Sequence, residues 1–191
     1  MTPLESLLTE VRNCKICSEF LPCGIRPVLQ VHPSAKILIA GQAPGRVVHE
    51  TGIPFDDASG NRLREWMGIN SEVFYDPSTV AILPMAFCYP GKGKSGDLPP
   101  RKECAIAWRE KLLAQLPNIE LTLLVGQYAQ EYDLGTEHPT LTERVKAWDT
   151  FGENIIPLPH PSPRNNIWLK RNSWFEKEVI PCLQERIQAL V

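Results

Sequence analysis

A chain of 191 residues that is 43% hydrophobic can bury enough apolar side chains for one core, and we expect residues 1–191 to form a single domain. The net charge of -2 excludes a generally basic surface, so a polyanion would have to meet local clusters of Lys and Arg. No apolar run approaches the length of a transmembrane helix, and the first residues lack the layout of a signal peptide. We therefore expect a cytoplasmic protein with no membrane partner.

The first predicted element is a short amphipathic helix, because apolar residues recur at helical spacing from Leu4 to Val11. Cys14 and Cys17 follow directly, with two residues between them. Such a pair can bind zinc, hold an iron–sulfur cluster or do dithiol chemistry. Thioredoxin-type chemistry is disfavoured, because that motif follows a strand. In a cytosolic chain, six cysteines favour metal ligands, catalytic groups or buried thiols over disulfides.

The remaining cysteines are Cys23, Cys88, Cys104 and Cys182. Cys88 and Cys104 bound a segment crowded with Pro, Gly and Lys, where a loop could bring both back to the first pair. Cys182 lies in an apolar stretch of the last predicted helix, so we expect it to pack there. Cys23 is left as a spare thiol.

Residues 37–40 are an apolar run without alternation, which predicts a strand buried on both faces of a parallel sheet. The run ends in the turn 41–45. Ligands usually bind outside the carboxyl ends of such strands. Gly41 and Gly45 would let the backbone approach a ligand closely, and Pro44 would stiffen the turn. An ordinary strand-to-helix turn has the same composition, and these residues alone favour neither interpretation.

Residues 46–60 are predicted to be too irregular for a regular element. Phe55 stands there between a proline and two aspartates, where a core or loop-anchoring role is the plainer interpretation. A helix is predicted from Asn61 to Gly68, and residues 80–83 are predicted to form a second buried strand. The next loop carries four cations that could contact phosphates, although a solvated loop would look the same. They are Lys92, Lys94, Arg101 and Lys102.

A helix is predicted from Cys104 to Leu116 with Ile106 on its apolar face, followed by a third buried strand at 121–126. Another helix begins at Gln127, whereas residues 135–148 are polar and weakly patterned.

The fourth predicted strand, residues 154–158, runs into a loop with three prolines that holds His160 on a stiff, extended segment. The final helix, 174–190, is predicted to kink or restart at Pro181. Strands and helices alternate along the whole chain. This order predicts a three-layer α/β/α sandwich with a central, mainly parallel four-stranded sheet.

The two strand-end loops, Gly41 to Gly45 and His160 to Pro163, together resemble the signature motifs of the uracil-DNA glycosylase superfamily. The order and spacing of the two N-terminal cysteines, Cys88 and Cys104 resemble the four-cysteine pattern of its iron–sulfur branch, called family 4. Residues 51–55 fall where that family has a Gly-x-Pro-Phe segment. The resemblance extends over nearly the whole chain.

This resemblance implies a monofunctional DNA-repair glycosylase that hydrolyses the N-glycosidic bond of uracil or a related damaged base and leaves an abasic site. Its partner would be DNA containing a damaged or deaminated base, and we expect the protein to be a monomer. The implied base-binding residues are Gly41, Ala43, Pro44, Gly45 and Phe55, whose ring would stack on the extruded base. The implied DNA-binding residues are Ser162, Pro163, Arg164, Asn165, Lys92 and Lys94. The implied metal ligands are Cys14, Cys17, Cys88 and Cys104, holding a 4Fe-4S cluster, with zinc as the less favoured occupant.

The resemblance makes His160 a donor to the leaving base, with Gln42 and Glu50 as further candidate catalytic residues. Family 4 has a glutamate where this chain has Gln42, and Ala43 cannot position water as an Asp or Asn does in other branches. Pro84 stands where the family has an asparagine that recognises the uracil edge, so the preferred base is open. The candidates for activating water are Glu50, Asp56, Asp57 and His49. Each of these is also common as a solvated loop residue.

Two other functions compete with this prediction. A nucleic-acid-binding protein of the same fold could keep the cluster and the pocket without cleaving. A small zinc protein could use the four cysteines for zinc and the glycine turn for a free nucleotide.

Overall fold

The computed structural model describes residues 2–135 and 137–191. Its four strands form one parallel sheet in the order β2-β1-β3-β4. The strands are β1 Ile37–Ala40, β2 Val80–Ile82, β3 Leu121–Val125 and β4 Ile155–Leu158. Each lies within one residue of a segment from which a strand was predicted, because a mostly apolar segment of this length is buried on both faces of a parallel sheet.

The helices are α1 Pro3–Arg12, α2 Arg46–Thr51, α3 Ala58–Met67, α4 Ser71–Phe74, α5 Lys102–Cys104, α6 Glu110–Leu113, α7 Gln127–Leu134, α8 Leu141–Lys146, α9 Asn166–Arg171 and α10 Ile180–Gln188. A π-helical turn, Ala105–Arg109, joins α5 to α6, and a second, Phe175–Val179, leads into α10. Short 3-10 turns lie at Ser18–Phe20, Trp148–Phe151 and Pro163–Asn165. Within the described ranges, no helix is long and apolar enough to cross a membrane.

Helices cover both faces of the sheet. Successive side chains of a strand point to opposite faces. Ile37 and Ile39 accordingly pack into one apolar core with side chains of α3 and α10, whereas Leu38 packs into a second core with side chains of α1 and α6. The predicted three-layer α/β/α arrangement is therefore confirmed, and all four strands are parallel.

Among the described residues, four helices lie where no regular element was predicted: α2, α4, α8 and α9. In α2 only Val48 is buried, so the segment has no apolar periodicity to detect. In α8 the buried residues include Arg144, and the helix is defined mainly by a capping box between Thr140 and Glu143. Ile106 was predicted on an apolar face but is 80% exposed, because the π-helical turn changes the rotation of the helix there.

Candidate active site

The carboxyl end of the sheet opens into a cavity of about 390 Å³. Four loops line it: the turn 41–45 after β1, residues 54–59, the loop 90–98, and residues 160–165 after β4. Five predicted base-binding residues meet in its wall, namely Gly41, Ala43, Pro44, Gly45 and Phe55. Segments far apart in the chain converge here because parallel strands end at one edge of the sheet.

The turn 41–45 is held by hydrogen bonds to its carbonyl groups, whereas several of its N–H groups remain available in the described structure. The carbonyl of Gln42 accepts a hydrogen bond from the N–H of Ala86 at 3.1 Å, which holds the turn beside the segment that follows β2. Within residues 2–135 and 137–191, the N–H groups of Gln42, Ala43 and Gly45 have no hydrogen-bond acceptor. The turn therefore offers backbone donors in the wall of the cavity to a polar ligand.

Phe55 presents its ring to the cavity from a strained backbone. Its φ is 54°, in the left-handed region, which costs a side-chain-bearing residue roughly 1–2 kcal/mol. The ring lies beside Gly41, where an added Cβ would be 3.4 Å from a ring atom, and packs edge-to-face on Phe74 at 6.2 Å between centroids. The carbonyl of Phe55 accepts from the Tyr75 hydroxyl at 3.3 Å and stands where a Cβ on Gly60 would be, only 1.7 Å away. Surrounding contacts thus hold this conformation in place.

His160 is held in a defined tautomer. The N–H of Ser162 donates to its Nδ1 at 3.2 Å, so the proton of the neutral ring lies on Nε2. The side-chain amide of Asn165 donates to the His160 carbonyl at 2.7 Å and fixes the loop. Burial lowers the pKa of His160, and the charges of Asp57 and Asp97 only partly oppose that effect. The ring is therefore a neutral donor through Nε2.

Two carboxylates line the cavity, and only one of them was a sequence candidate. Asp57 is the N-cap of α3, and its Oδ1 accepts from the N–H of Gly60 at 2.9 Å. Asp97 was not singled out from the sequence. Its Oδ1 accepts from the Tyr89 hydroxyl at 3.3 Å, and its Oδ2 lies 3.6 Å from the position of a Cβ on Gly45.

Glu50, predicted as a catalytic residue, lies outside the cavity. It is on α2 with its side chain 57% exposed and is paired with Arg46 at 2.8 Å. Asp56 is exposed and does not line the cavity. The Nε2 of His49 is 3.1 Å from the carbonyl oxygen of Cys23, and His49 does not line the cavity either. The structure does not bring Glu50 to the other candidate residues, because the short helix α2 points its side chain to solvent.

The predicted DNA-binding residues lie on two of the loops that line the cavity. Three of them line it, namely Ser162, Arg164 and Asn165, whereas Pro163, Lys92 and Lys94 are exposed. The Arg164 guanidinium donates to the carbonyl of Ser95 at 3.4 Å, which connects the histidine loop to the loop 90–98. Pro84 also lines the cavity and supplies no amide there.

A second, much smaller cavity of about 30 Å³ is lined by the four cysteines predicted as metal ligands. They are Cys14, Cys17, Cys88 and Cys104. N–H groups donate to two of the sulfurs at 3.4 Å: Trp108 Nε1 to Cys14 and the Phe87 backbone to Cys104. Burial raises the pKa of Cys104 to about 12, and neighbouring cysteines add to the effect. Cys23 is exposed and does not line this cavity.

These four thiols are the residues that could hold a metal group in this cavity. Across the described part of the chain, no group of three or more His, Cys, Asp or Glu side chains forms a site for one metal ion. Iron–sulfur clusters take four thiolates around a body several atoms wide, and N–H donors to sulfur are a normal part of such sites. A donor set of four cysteines around one cavity, with such N–H donors, fits that group.

Comparison with known proteins agrees with this geometry. The type-4 uracil-DNA glycosylase of Sulfurisphaera tokodaii is 23% identical over 182 residues, which cover 94% of this chain and 72% of that protein. The model of the uracil DNA glycosylase superfamily matches residues 29–184, a span that contains the whole sheet and both strand-end loops. By this match over most of its length, the chain belongs to the uracil DNA glycosylase superfamily.

Proposed function

We propose that this protein is a monofunctional DNA glycosylase that hydrolyses the N-glycosidic bond of uracil or a related damaged base and leaves an abasic site. Family membership supports the reaction class. The observation that carries the proposal is the position of His160, a half-buried neutral donor in the same cavity as the ring of Phe55.

The base must leave the duplex before its glycosidic bond can be attacked, at an unstacking cost of a few kcal/mol. The ring of Phe55 offers a face on which the extruded base can stack, which is worth roughly 1–3 kcal/mol. The backbone donors of the turn 41–45 can then bind its polar edge. Ser162, Arg164 and Asn165 line the same cavity and would contact the DNA backbone beside the extruded nucleotide.

Cleavage leaves negative charge on the departing base. A neutral His160 can donate through Nε2 to a carbonyl oxygen of that base, and the bond strengthens as the charge develops. Burial keeps the ring neutral, so the donor needs no proton from solvent at ordinary pH.

Water is the proposed nucleophile. Glycosylases that also cut the strand use an amine to form a covalent imine with the sugar. Of the described residues that line the cavity, none is a lysine. This composition supports a monofunctional enzyme.

We also propose that Cys14, Cys17, Cys88 and Cys104 hold a 4Fe-4S cluster. When bound, the cluster supplies four iron–thiolate bonds that tie separate parts of the chain together. Two ligands follow α1, one follows β2 and one ends α5. The cysteines would thereby fix both ends of the segment 88–104, which includes Asp97 and the cations Lys92 and Lys94.

The test is a single-turnover assay on oligonucleotides that carry uracil, hypoxanthine, xanthine or a thymine mismatch. Release of at least one base by the wild type, with an intact abasic strand, supports the proposal. Because Pro84 in the cavity wall has no side-chain amide to recognise a base, the panel must identify which base is released. If the wild type binds lesion DNA but releases no base, a non-cleaving DNA-binding protein replaces the enzyme.

A further inference from the structure

The turn 41–45 carries no carboxylate, yet a carboxylate lies against it. Ala43 has no polar side-chain atom, and Gln42 is an amide. Asp97, from the loop 90–98, places Oδ2 3.6 Å from the position of a Cβ on Gly45. We propose that Asp97 is the catalytic residue that accepts the proton of the attacking water, an assignment that rests on the proposed glycosylase function.

The loop that carries Asp97 is closed on itself and tied to the histidine loop. The N–H of Gly93 donates to the carbonyl of Gly96 at 2.6 Å, and the N–H of Leu98 donates to the carbonyl of Gly91 at 2.8 Å. Arg164 connects this loop to the loop of His160 through the Ser95 carbonyl. Asp97 lies beside the tip of this loop, opposite Lys92 in an isolated antiparallel bridge. Its backbone is therefore held in place in the lining of the cavity, as a general base requires.

The Tyr89 hydroxyl gives the carboxylate of Asp97 its direction. It donates to Oδ1, so Oδ2 is the oxygen that faces the turn 41–45. A water between Oδ2 and the sugar of an extruded nucleotide could donate one proton to Asp97 and offer a lone pair to C1′.

The other titratable groups of the cavity are committed elsewhere. His160 cannot take a proton at Nδ1 without losing the bond from Ser162, and its Nε2 already carries one. Asp57 caps α3 through Oδ1, and protonation of that carboxylate would weaken the cap. Glu50 is outside the cavity. Both carboxylates keep an Oδ2 without a hydrogen bond from the described residues. Asp97 differs because it caps no helix and its Oδ2 lies against the turn 41–45.

The reaction balances with these groups alone. The water oxygen forms a bond to C1′, Asp97 takes one water proton, and the C1′–N bond breaks with its electron pair leaving on the base. His160 stabilises the resulting base anion by donation to its carbonyl oxygen. The anion then gains a proton from solvent, and Asp97 releases its own to solvent. The products are the free base and an abasic sugar that carries the new hydroxyl at C1′.

Asp97→Asn is the first test, because the amide keeps the size of the side chain and an oxygen for the Tyr89 hydroxyl but is not a base. Single-turnover cleavage of the best panel substrate should fall by roughly 100-fold to 10,000-fold, without weaker binding to lesion DNA. Asp149→Asn is the matched control, since that carboxylate is exposed like Asp97 but lies outside the cavity, and it should keep the wild-type rate. An active wild type with an equally fast Asp97→Asn variant would overturn the assignment while the glycosylase function stands.

A binding measurement tests the carboxylate without turnover. The sugar gains positive charge as the bond breaks, so DNA with a cationic pyrrolidine in place of the sugar mimics that state, and DNA with tetrahydrofuran is its neutral counterpart. The wild type and Asp149→Asn should prefer the cationic DNA, and Asp97→Asn should lose that preference. If the wild type shows the preference and Asp97→Asn keeps it, Asp97 does not face the reacting sugar. In a third outcome, the wild type prefers the cationic DNA, Asp97→Asn loses that preference, and the wild type releases no base. This outcome would support the placement of Asp97 beside the sugar but refute both the glycosylase function and the proton transfer. A wild type with neither preference nor base release overturns both.

Discussion

The two cavities of this protein differ in what holds their functional groups in place. The cavity at the carboxyl end of the sheet is about 390 Å³, and hydrogen bonds fix its groups, such as the N–H of Ser162 on His160. The cysteine cavity is about 30 Å³, and thiols with a raised pKa face one another there. The first is therefore organised without a ligand, whereas in the second the proposed cluster would supply the positive charge that four neighbouring thiolates need. A change in the first should alter chemistry, and a change in the second should alter stability.

The largest expected effect is the loss of one cysteine ligand. Cys104→Ala should abolish the brown colour of anaerobically purified protein and lower the free energy of unfolding by about 5 kcal/mol or more, because loss of a metal centre is among the most damaging changes. Visible absorbance, iron content and urea unfolding measure these effects. Cys23→Ala is the matched control and should alter none of them, since that thiol is outside the cavity. Bound zinc without iron in the wild type would refute the cluster.

His160→Ala should affect the rate of cleavage rather than the binding of DNA. Removing one preorganised donor should slow single-turnover cleavage on the order of 100-fold to 1000-fold, while binding of lesion DNA changes little. A loss of DNA affinity as large as the loss of rate would show that the residue acts in binding.

Phe55→Ala should weaken capture of the extruded base. We expect a loss of roughly 1–3 kcal/mol, or about 5-fold to 150-fold, in affinity for lesion DNA. Affinity for undamaged DNA is the internal control and should stay constant, because no base occupies the cavity there. An equal loss on both DNAs would place the ring in general DNA contact instead.

The lowered pKa of His160 predicts a pH effect on stability. The unfolded chain protonates this residue below its ordinary pKa of about 6.5, whereas the folded chain resists protonation until a lower pH. The folded state therefore loses stability as the pH falls below about 6.5, by at most about 1.4 kcal/mol per pH unit. His160→Asn should flatten this part of the curve in urea unfolding at pH 7, 6 and 5. A parallel curve for the variant would contradict the buried neutral ring.

The smallest expected effect concerns the exposed lysines near the cavity. Lys92→Ala and Lys94→Ala should each weaken DNA binding for all sequences alike and lower the salt slope by about one. Lys36→Ala is the control, because Lys36 precedes β1 at the opposite end of the sheet and its amine donates to the Leu190 carbonyl. A slope that changes only in the control would place DNA on the other side of the protein.

The sheet and the meeting of the two strand-end loops were predictable from sequence, because apolar runs bury on both faces and parallel strands end together. The helix α2 was not predictable, since Val48 is its one buried residue. Asp97 was missed because only the folded loop brings it to Gly45. Glu50 was a candidate because it follows the turn 41–45 closely in sequence. Closeness in sequence does not show which way a side chain points from a helix. The cysteine spacing was informative because four thiols can hold one metal group only if the fold brings them to a common cavity, as it does here.

The fit between Gly60 and Phe55 has an evolutionary consequence. A side chain at position 60 would occupy the place of the Phe55 carbonyl, so it requires residue 55 to leave its left-handed conformation. That movement would withdraw the aromatic ring from the wall beside Gly41. Single substitutions at position 60 are therefore blocked while the ring is needed, and the two positions should change together among descendants of this chain. A lineage that loses Gly60 should be one that has found another surface on which to stack its base.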